Sequence, residues 1–323
     1  MTTLAHPHHV IVGDGVIGQG VADELARLGH QLRLASRSGR ASASARHPHL
    51  RLDALDAHAL REAVRGATHL YLTLGLPYDA RVWQRDWPRV MRNAIEAALA
   101  ADAVLVFFDN VYAYGPLPLR VPMREDHPMQ PPSRKGQVRA QLPALLAQAQ
   151  QAQGLKWVIG RSADFYGPHV RQSPLFVAAI ERQLKGKAAQ WMGDPDARHS
   201  FTYVPDAARA LVRLALDEGA WQRAWHLPTP VHAPTPRQLL MQSARLLQAP
   251  ERIQTLPDAL LGVLKLFVPA LREYGEMLYQ NRQDYVFSSQ AFMAGYPDFV
   301  VTPYEVGMAR MVESLRPVMP QAR

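Results

Sequence analysis

Short apolar runs alternate along the first half of the chain with stretches whose apolar positions recur every three or four residues. Val10–Val12 is the first run and ends in glycine. Val21, Leu25 and Leu28 then recur at helical spacing, and Gly29 stops that helix. The spacing predicts further strands at Gln31–Ala35, His49–Leu52, His69–Leu74, Val104–Phe108 and Lys156–Ile159. A long helix from about Ala80 to Ala101 carries Trp83, Trp87, Val90, Met91, Ala94, Ile95 and Ala98 on one side, with Pro88 kinking it or marking its start. Another helix covers Arg139–Gln153. Strand–helix alternation of this kind predicts an α/β fold with a doubly wound parallel sheet.

After Gly167 the pattern changes to helical pieces at Leu175–Leu184, Asp206–Leu216, Arg237–Leu247 and Leu256–Phe267, separated by proline-rich connectors. Thr235–Pro236 reads as an N-cap followed by a proline in the first turn. The expected organisation is a nucleotide-binding domain over residues 1–170, to which 198–228 return. A smaller, mostly helical substrate lobe takes 171–197 and 229–323.

Composition removes several alternatives. The 323 residues bury enough surface to fold without cross-links, and there is no cysteine, which excludes a disulfide scaffold, a zinc ribbon and a thiol nucleophile. Cysteine-free composition suits a reducing compartment, so a cytoplasmic protein is expected. Met1–His9 lacks the apolar core of a signal peptide, and Ala259–Leu271 is too short to span a bilayer and carries Lys265. The formal charge is +8, but its basic residues are scattered (Arg33, Arg37, Arg40, Arg46, Arg51). That distribution points to an anionic cofactor or small-molecule substrate and away from nucleic acid or membrane. A homodimer is compatible with this reading.

Candidate chemistry begins directly after the first strand. Gly13-Asp14-Gly15-Val16-Ile17-Gly18 fits G-x-G-x-x-G and opens an amphipathic helix. The first glycine permits the turn, the second admits a pyrophosphate, and the third lets helix pack on strand. Gly13, Gly15, Val16, Ile17 and Gly18 are therefore expected to hold a dinucleotide. Strand two ends in Ala35-Ser36-Arg37-Ser38, without the acid that NAD sites place there. Ser36 and Arg37 thus favour NADP, with NAD still allowed. Asp53 either accepts from the adenine amino group or opens the next helix together with Asp56.

With these residues placed, the chain resembles the extended short-chain dehydrogenase/reductase family, the NAD-dependent epimerase/dehydratase group. Besides the glycine motif, the resemblance rests on Asn93 in the long helix and on Val111-Tyr112-Ala113-Tyr114-Gly115. It continues through Arg161-Ser162-Ala163-Asp164-Phe165-Tyr166-Gly167-Pro168, similar to R-P-x-N-x-Y-G-P. Arg198–Arg209 is similar to R-x-F-x-Y-V-x-D-V-A-x-A. The resemblance runs from strand one to about Ala210 and implies a Rossmann-type sheet and a nicotinamide cofactor.

The family's Ser/Thr, Tyr and Lys of catalysis are absent. Asn110 stands at the Ser/Thr position, Lys135 at the Tyr position and Arg139 at the Lys position. No tyrosine lies between Gly115 and Phe165. The resemblance then implies that Asn110 donates to a carbonyl oxygen and that Arg139 holds ribose hydroxyls. Lys135, beside Arg139 and the cofactor's positive ring, would be the general acid. Lys135 and Arg139 as a mere solvated helix face is the competing interpretation. Tyr112 and Tyr114 are alternative acids, and Tyr166, His169 and Arg198 are candidates to face substrate. His6, His8 and His9 read as a mobile terminus. Trp83 and Trp87 read as core, and Arg272, Glu273 and Glu276 as ligand contacts or a salt-bridged surface. The functions compatible with this set are an NADP-dependent oxidoreductase or epimerase acting on a polar carbonyl or sugar-like substrate, and a non-catalytic NADP-binding regulator or assembly factor.

Overall fold

The computed structural model describes residues 8–39, 47–255, 267 and 269–315. Seven parallel strands form the central sheet: β1 (His8–Val12), β2 (Gln31–Ser36), β3 (His49–Arg51), β4 (His69–Leu72), β5 (Val104–Asn110), β6 (Trp157–Ser162) and, much later in the chain, β10 (Ala224–His226). Their spatial order is β10-β6-β5-β4-β1-β2-β3. The chain winds outward from β1 through β2 to β3, then restarts at β4 and winds the other way. The reversal leaves a crevice at the carboxyl ends of β1 and β4, where ligands bind in sheets of this kind.

Both faces of the sheet are covered, so its strands are apolar on both sides. In β1, Val10 and Val12 pack under α2 (Ala57–Val64), α3 (Ala80–Ala101) and α4 (Arg134–Gln153). Ile11 points the other way, under α1 (Val16–Arg27) and the later α6. Beyond β6 the chain runs through β7 (Asp164–Tyr166), a π-helical turn at Phe176–Ile180, α5 (Glu181–Leu184), β8 (Ala189–Trp191), β9 (Phe201–Tyr203), α6 (Val204–Leu216) and β10. It continues into α7 (Pro236–Leu247) and β11 (Ile253–Thr255). β7 pairs with β9 and β8 with β11, small ladders that the apolar spacing did not announce because each strand has only three residues. Helical segments at Pro269–Gly275, Gln290–Gly295 and Tyr304–Leu315 follow.

Several boundaries differ from expectation for identifiable reasons. α3 starts at Ala80, capped by the Asp79 carboxylate, which accepts from the Arg81 and Val82 N–H groups. Pro88 lies inside it and does not start it. α4 begins at Arg134, five residues early, because Ser133 caps it by accepting from Gly136 N–H. Thr235 and Gln238 form a complete capping box at α7. The expected Leu256–Phe267 helix lies outside the described residues except for Phe267. His8 and His9 belong to β1 and to no mobile terminus: His9 is fully buried, stacked on His69 at 4.6 Å between ring centroids. Pairing with both β2 and β4 fixes that end of the chain.

Candidate active site

The glycine loop leaves β1 at the crevice. Gly13 has φ +121°, and a Cβ there would lie 2.5 Å from the Leu74 backbone nitrogen. A Cβ at Gly18 would lie 1.8 Å from the Gly13 carbonyl oxygen. Those two glycines are required by the chain's own packing. Gly15 is different: its φ of −68° is ordinary, and a Cβ there would meet nothing within 4 Å. It is the N-cap of α1, no side chain caps that helix, and its first turn carries no acid. Thr73 Oγ donates to the Val12 and Gly13 carbonyls and holds the loop's shape. The result is open space at an uncapped helix N-terminus, the shape and polarity that a pyrophosphate needs. Val16 and Ile17 form the first turn, with Ile17 anchored in the core. The residues present fit a dinucleotide.

Beside the cradle, Ser36 Oγ lies 3.1 Å from Ser38 Oγ and 3.3 Å from His49 Nε2, at the end of β2. Arg37 is exposed in the turn that follows. Asp53 accepts from Leu55 N–H at 3.0 Å, while Asp56 caps α2. Asn93 donates to the Ala54 carbonyl at 2.9 Å, tying this loop to α3.

Deeper in the crevice, β5 ends at Asn110. Its Oδ1 accepts from Tyr112 N–H at 3.1 Å, which leaves the side-chain amide free to donate. α4 begins against this turn: a Cβ at Gly136 would come within 2.5 Å of the Tyr112 carbonyl oxygen, so only glycine allows the approach. Lys135 is thereby set opposite the end of β5. It is fully buried, not a solvated helix face. Its ammonium donates to Glu273 Oε2 at 2.6 Å, Glu276 Oε1 at 2.7 Å and the Glu273 carbonyl at 2.9 Å, and sits 4.4 Å from the Tyr78 ring centre. Burial raises the Glu273 carboxyl, but the Lys135 ammonium and the Ala80 N–H outweigh it and hold that group below its usual range. Glu276 also accepts from Arg134 N–H.

Arg139 is buried as well. Its guanidinium lies over the Trp87 ring at 4.0 Å and the Trp83 ring at 4.9 Å, and it donates to Asp109 Oδ1 at 3.3 Å, while Nε has no hydrogen-bond partner among the described residues. The two tryptophans expected as simple core are thus the cushion of a buried cation. Asp109 Oδ2 accepts from Arg161 Nε at 3.1 Å, and Arg161 Nη1 donates to Tyr114 Oη at 2.8 Å. The Tyr114 hydroxyl meets His226 Nε2, whose Nδ1 lies 2.7 Å from the Ser288 carbonyl. Burial, reinforced by Arg161, keeps His226 well below the usual histidine range, so it is neutral and accepts from Tyr114. Tyr114 is consequently engaged in the interior. Tyr112 is hydrogen-bonded to Tyr78 and stacked near Trp83, and burial raises its hydroxyl far above the usual phenol range.

The expected substrate-facing residues are not brought together. Tyr166 is completely buried among Tyr203, Tyr304 and Phe201, a core position imposed by the pairing of β7 with β9. His169 is exposed, with φ +61°, and Arg198 is exposed, its Nε and Nη2 both donating to Asp284 Oδ2. Just past β6, Asp164 and His199 are paired at 3.1 Å, with His199 stacked on Tyr285. Burial raises the hydroxyls of Tyr78, Tyr112, Tyr274, Tyr279 and Tyr285, and the Asp164 carboxylate adds a smaller push in the same direction. One signal was available in the sequence: an acid at the end of an apolar strand, as at Asp109, demands a buried cation. Nothing there signalled that residues 273–285 fold back against the start of α4 and the segment leading into β9.

The model of the NAD dependent epimerase/dehydratase family matches residues 10–224, from within β1 to the start of β10. No curated protein matches the chain. Among solved structures, UDP-glucose 4-epimerase of Thermus thermophilus in complex with NAD is 19% identical, with 96% of this chain and 100% of that one covered at a TM-score of 0.74. UDP-N-acetylglucosamine 4-epimerase of Bacillus cereus is 14% identical, with 98% and 99% covered at 0.75. dTDP-glucose 4,6-dehydratase of Bacillus anthracis in complex with NAD is 13% identical, with 95% and 96% covered at 0.76. These likenesses extend over nearly the whole chain and establish its fold; the match over well more than half of the chain establishes the family. The glycine cradle, the sheet that reverses at β1 and β4 and the match from β1 to β10 agree: the chain belongs to the NAD-dependent epimerase/dehydratase family of enzymes.

Proposed function

We propose that this protein is a nicotinamide-dinucleotide-dependent oxidoreductase or epimerase acting on a sugar-like carbonyl or hydroxyl substrate through an altered proton relay. The observation that carries the reading is the open space at Gly15 over the uncapped start of α1; Asn110 at the end of β5 and Lys135 in the first turn of α4 are the groups assigned to the relay. The bound dinucleotide would supply hydride donation and acceptance. Arg37, exposed where β2 ends, admits the 2′-phosphate of NADP. The polyol character of the substrate is supported by Asp164 and His199, side chains that accept and donate hydrogen bonds. UDP-sugar epimerases and a dTDP-glucose dehydratase among the structures compared above favour a nucleotide-linked sugar.

In the direction of carbonyl reduction, the Asn110 amide donates to the substrate oxygen. The Lys135 ammonium gives that oxygen a proton as charge develops on it. In the reverse direction neutral Lys135 takes the proton of the substrate hydroxyl, and Glu273 and Glu276, within hydrogen-bond reach, steady the ammonium that forms. Arg139, held by Asp109 and the indoles, acts as a fixed positive charge beneath the site.

The test is turnover of NADH and NADPH, or epimerisation, with a panel of nucleotide-linked and free sugars. Lys135→Met should cost at least about a hundredfold in turnover with little change in dinucleotide affinity. If Tyr112→Phe or Tyr114→Phe is the inactive variant and Lys135→Met is not, the relay assignment is wrong. The second reading, a dinucleotide-binding regulator, draws on the complete pairing of Lys135 with Glu273 and Glu276. Tight dinucleotide binding with no turnover of any substrate would select it.

A further inference from the structure

The glycine loop carries a charge that its role as a phosphate cradle does not use. Asp14 stands between Gly13 and Gly15, and the loop delivers its carboxylate to the corner where β2 ends. Oδ2 accepts from Ser38 Oγ at 3.5 Å and lies 3.6 Å from His49 Nε2. Ser36 Oγ ties the same corner together through Ser38 and His49. The Asp14 side chain is 37% exposed, and among the described residues Oδ1 has no hydrogen-bond partner. A carboxylate accepts at both oxygens, so this one has capacity for further donors. Arg37 is exposed next to the same corner and forms no ion pair among the described residues.

An adenosine ribose bound with its pyrophosphate over Gly15 presents its hydroxyls to the end of β2, where an acid normally receives them. No acid stands on β2 here. We propose that Asp14, supplied from the glycine loop, is the acceptor for the ribose hydroxyls, and that Asp14 and Arg37 together let the site take both NAD and NADP. This rests on the dinucleotide reading above. The two residues act in opposite senses. Asp14 takes hydrogen bonds from the hydroxyls of NAD and repels a 2′-phosphate, whereas Arg37 attracts the phosphate and is indifferent to a hydroxyl. A hydrogen bond to a charged group changes affinity by roughly tenfold to a hundredfold, so neither residue dominates the other.

Calorimetric titration of NAD+ and NADP+ into the wild-type protein should give dissociation constants within about tenfold of each other. Asp14→Asn, which keeps the side chain's shape, should weaken NAD+ and tighten NADP+, moving the ratio about tenfold or more towards NADP+. Arg37→Ala should move it by a similar factor towards NAD+. Thermal melting establishes that each variant is folded. A wild-type ratio beyond about tenfold, or a shift under about threefold in either variant, overturns the proposal. If the folded wild-type protein binds neither dinucleotide, the cradle reading itself fails and takes this one with it.

Discussion

Lys135 offers the most decisive measurement, because its ammonium is fully buried and every acceptor around it is named. Replacing it with methionine keeps the volume and removes the charge. The Glu273 and Glu276 side chains, 13% and 15% exposed, are then left facing each other, with Arg134 at 3.6 and 3.4 Å as the cation that remains. Removing one partner of a buried ion pair costs about 3–5 kcal/mol, since the surviving charge keeps its desolvation penalty. Arg134 is 48% exposed and recovers only part of this, so Lys135→Met should destabilise the fold by about 3 kcal/mol. The triple variant Lys135→Met/Glu273→Gln/Glu276→Gln removes the stranded charges and retains an oxygen for the Ala80 N–H. It should return to within about 1 kcal/mol of wild type. Equilibrium unfolding in urea reads both values, with an unchanged slope showing that the denatured state is comparable. A single variant within about 0.5 kcal/mol of wild type would show that the cluster is solvated and refute the buried relay. A triple variant no better than the single one would show that the loss is packing, not charge.

Two further outcomes follow from other parts of the chain. Gly15→Val should abolish dinucleotide binding by calorimetry while leaving the circular dichroism spectrum and melting temperature unchanged, because φ is ordinary there and the Cβ meets no protein atom; undiminished binding would refute the cradle. Burial first, and neighbouring histidine charge second, lowers His9 to about 3, and burial lowers His69 to about 4, both from 6.5. Both are thus neutral in the fold, and the unfolded chain takes up their protons first. Stability should therefore fall as pH drops from 6.5 towards 4, by up to about 1.4 kcal/mol per pH unit for each ring, and His69→Gln should flatten that slope; an unaltered slope in the variant would remove this pair from the cause.

How much the sequence disclosed depended on how local the governing interactions are. The glycine cradle, the parallel strands and the capped helix α7 rest on contacts a few residues apart or on apolar spacing, and all were legible. Asn110, Lys135 and Arg139 were placed by resemblance, and in the structure α4 brings the last two to the end of β5. Their partners were not legible. Glu273 and Glu276 are about 140 residues from Lys135, and the short elements between carry no periodicity that says where they return. His9 was misread for the same reason: its strand pairing and its contacts with His69 and Tyr71, some sixty residues away, make it a core residue.

The two buried cations of α4 are each compensated. Lys135 is paired with two carboxylates, and Arg139 has Asp109 below it and two indoles beside it. A neutral residue at either position would have avoided the cost of burying a cation, which amounts to several kcal/mol per ion before pairing. A site released from chemistry has no need to bear that cost, and an apolar filling of equal volume is commonly the more stable choice. On the proposed function, two buried cations, each with its own counter-charge, keep a proton-bearing group and a fixed positive charge where the reaction would need them. That arrangement is what a retuned proton relay requires, and it is why the enzyme reading is preferred to the regulator reading.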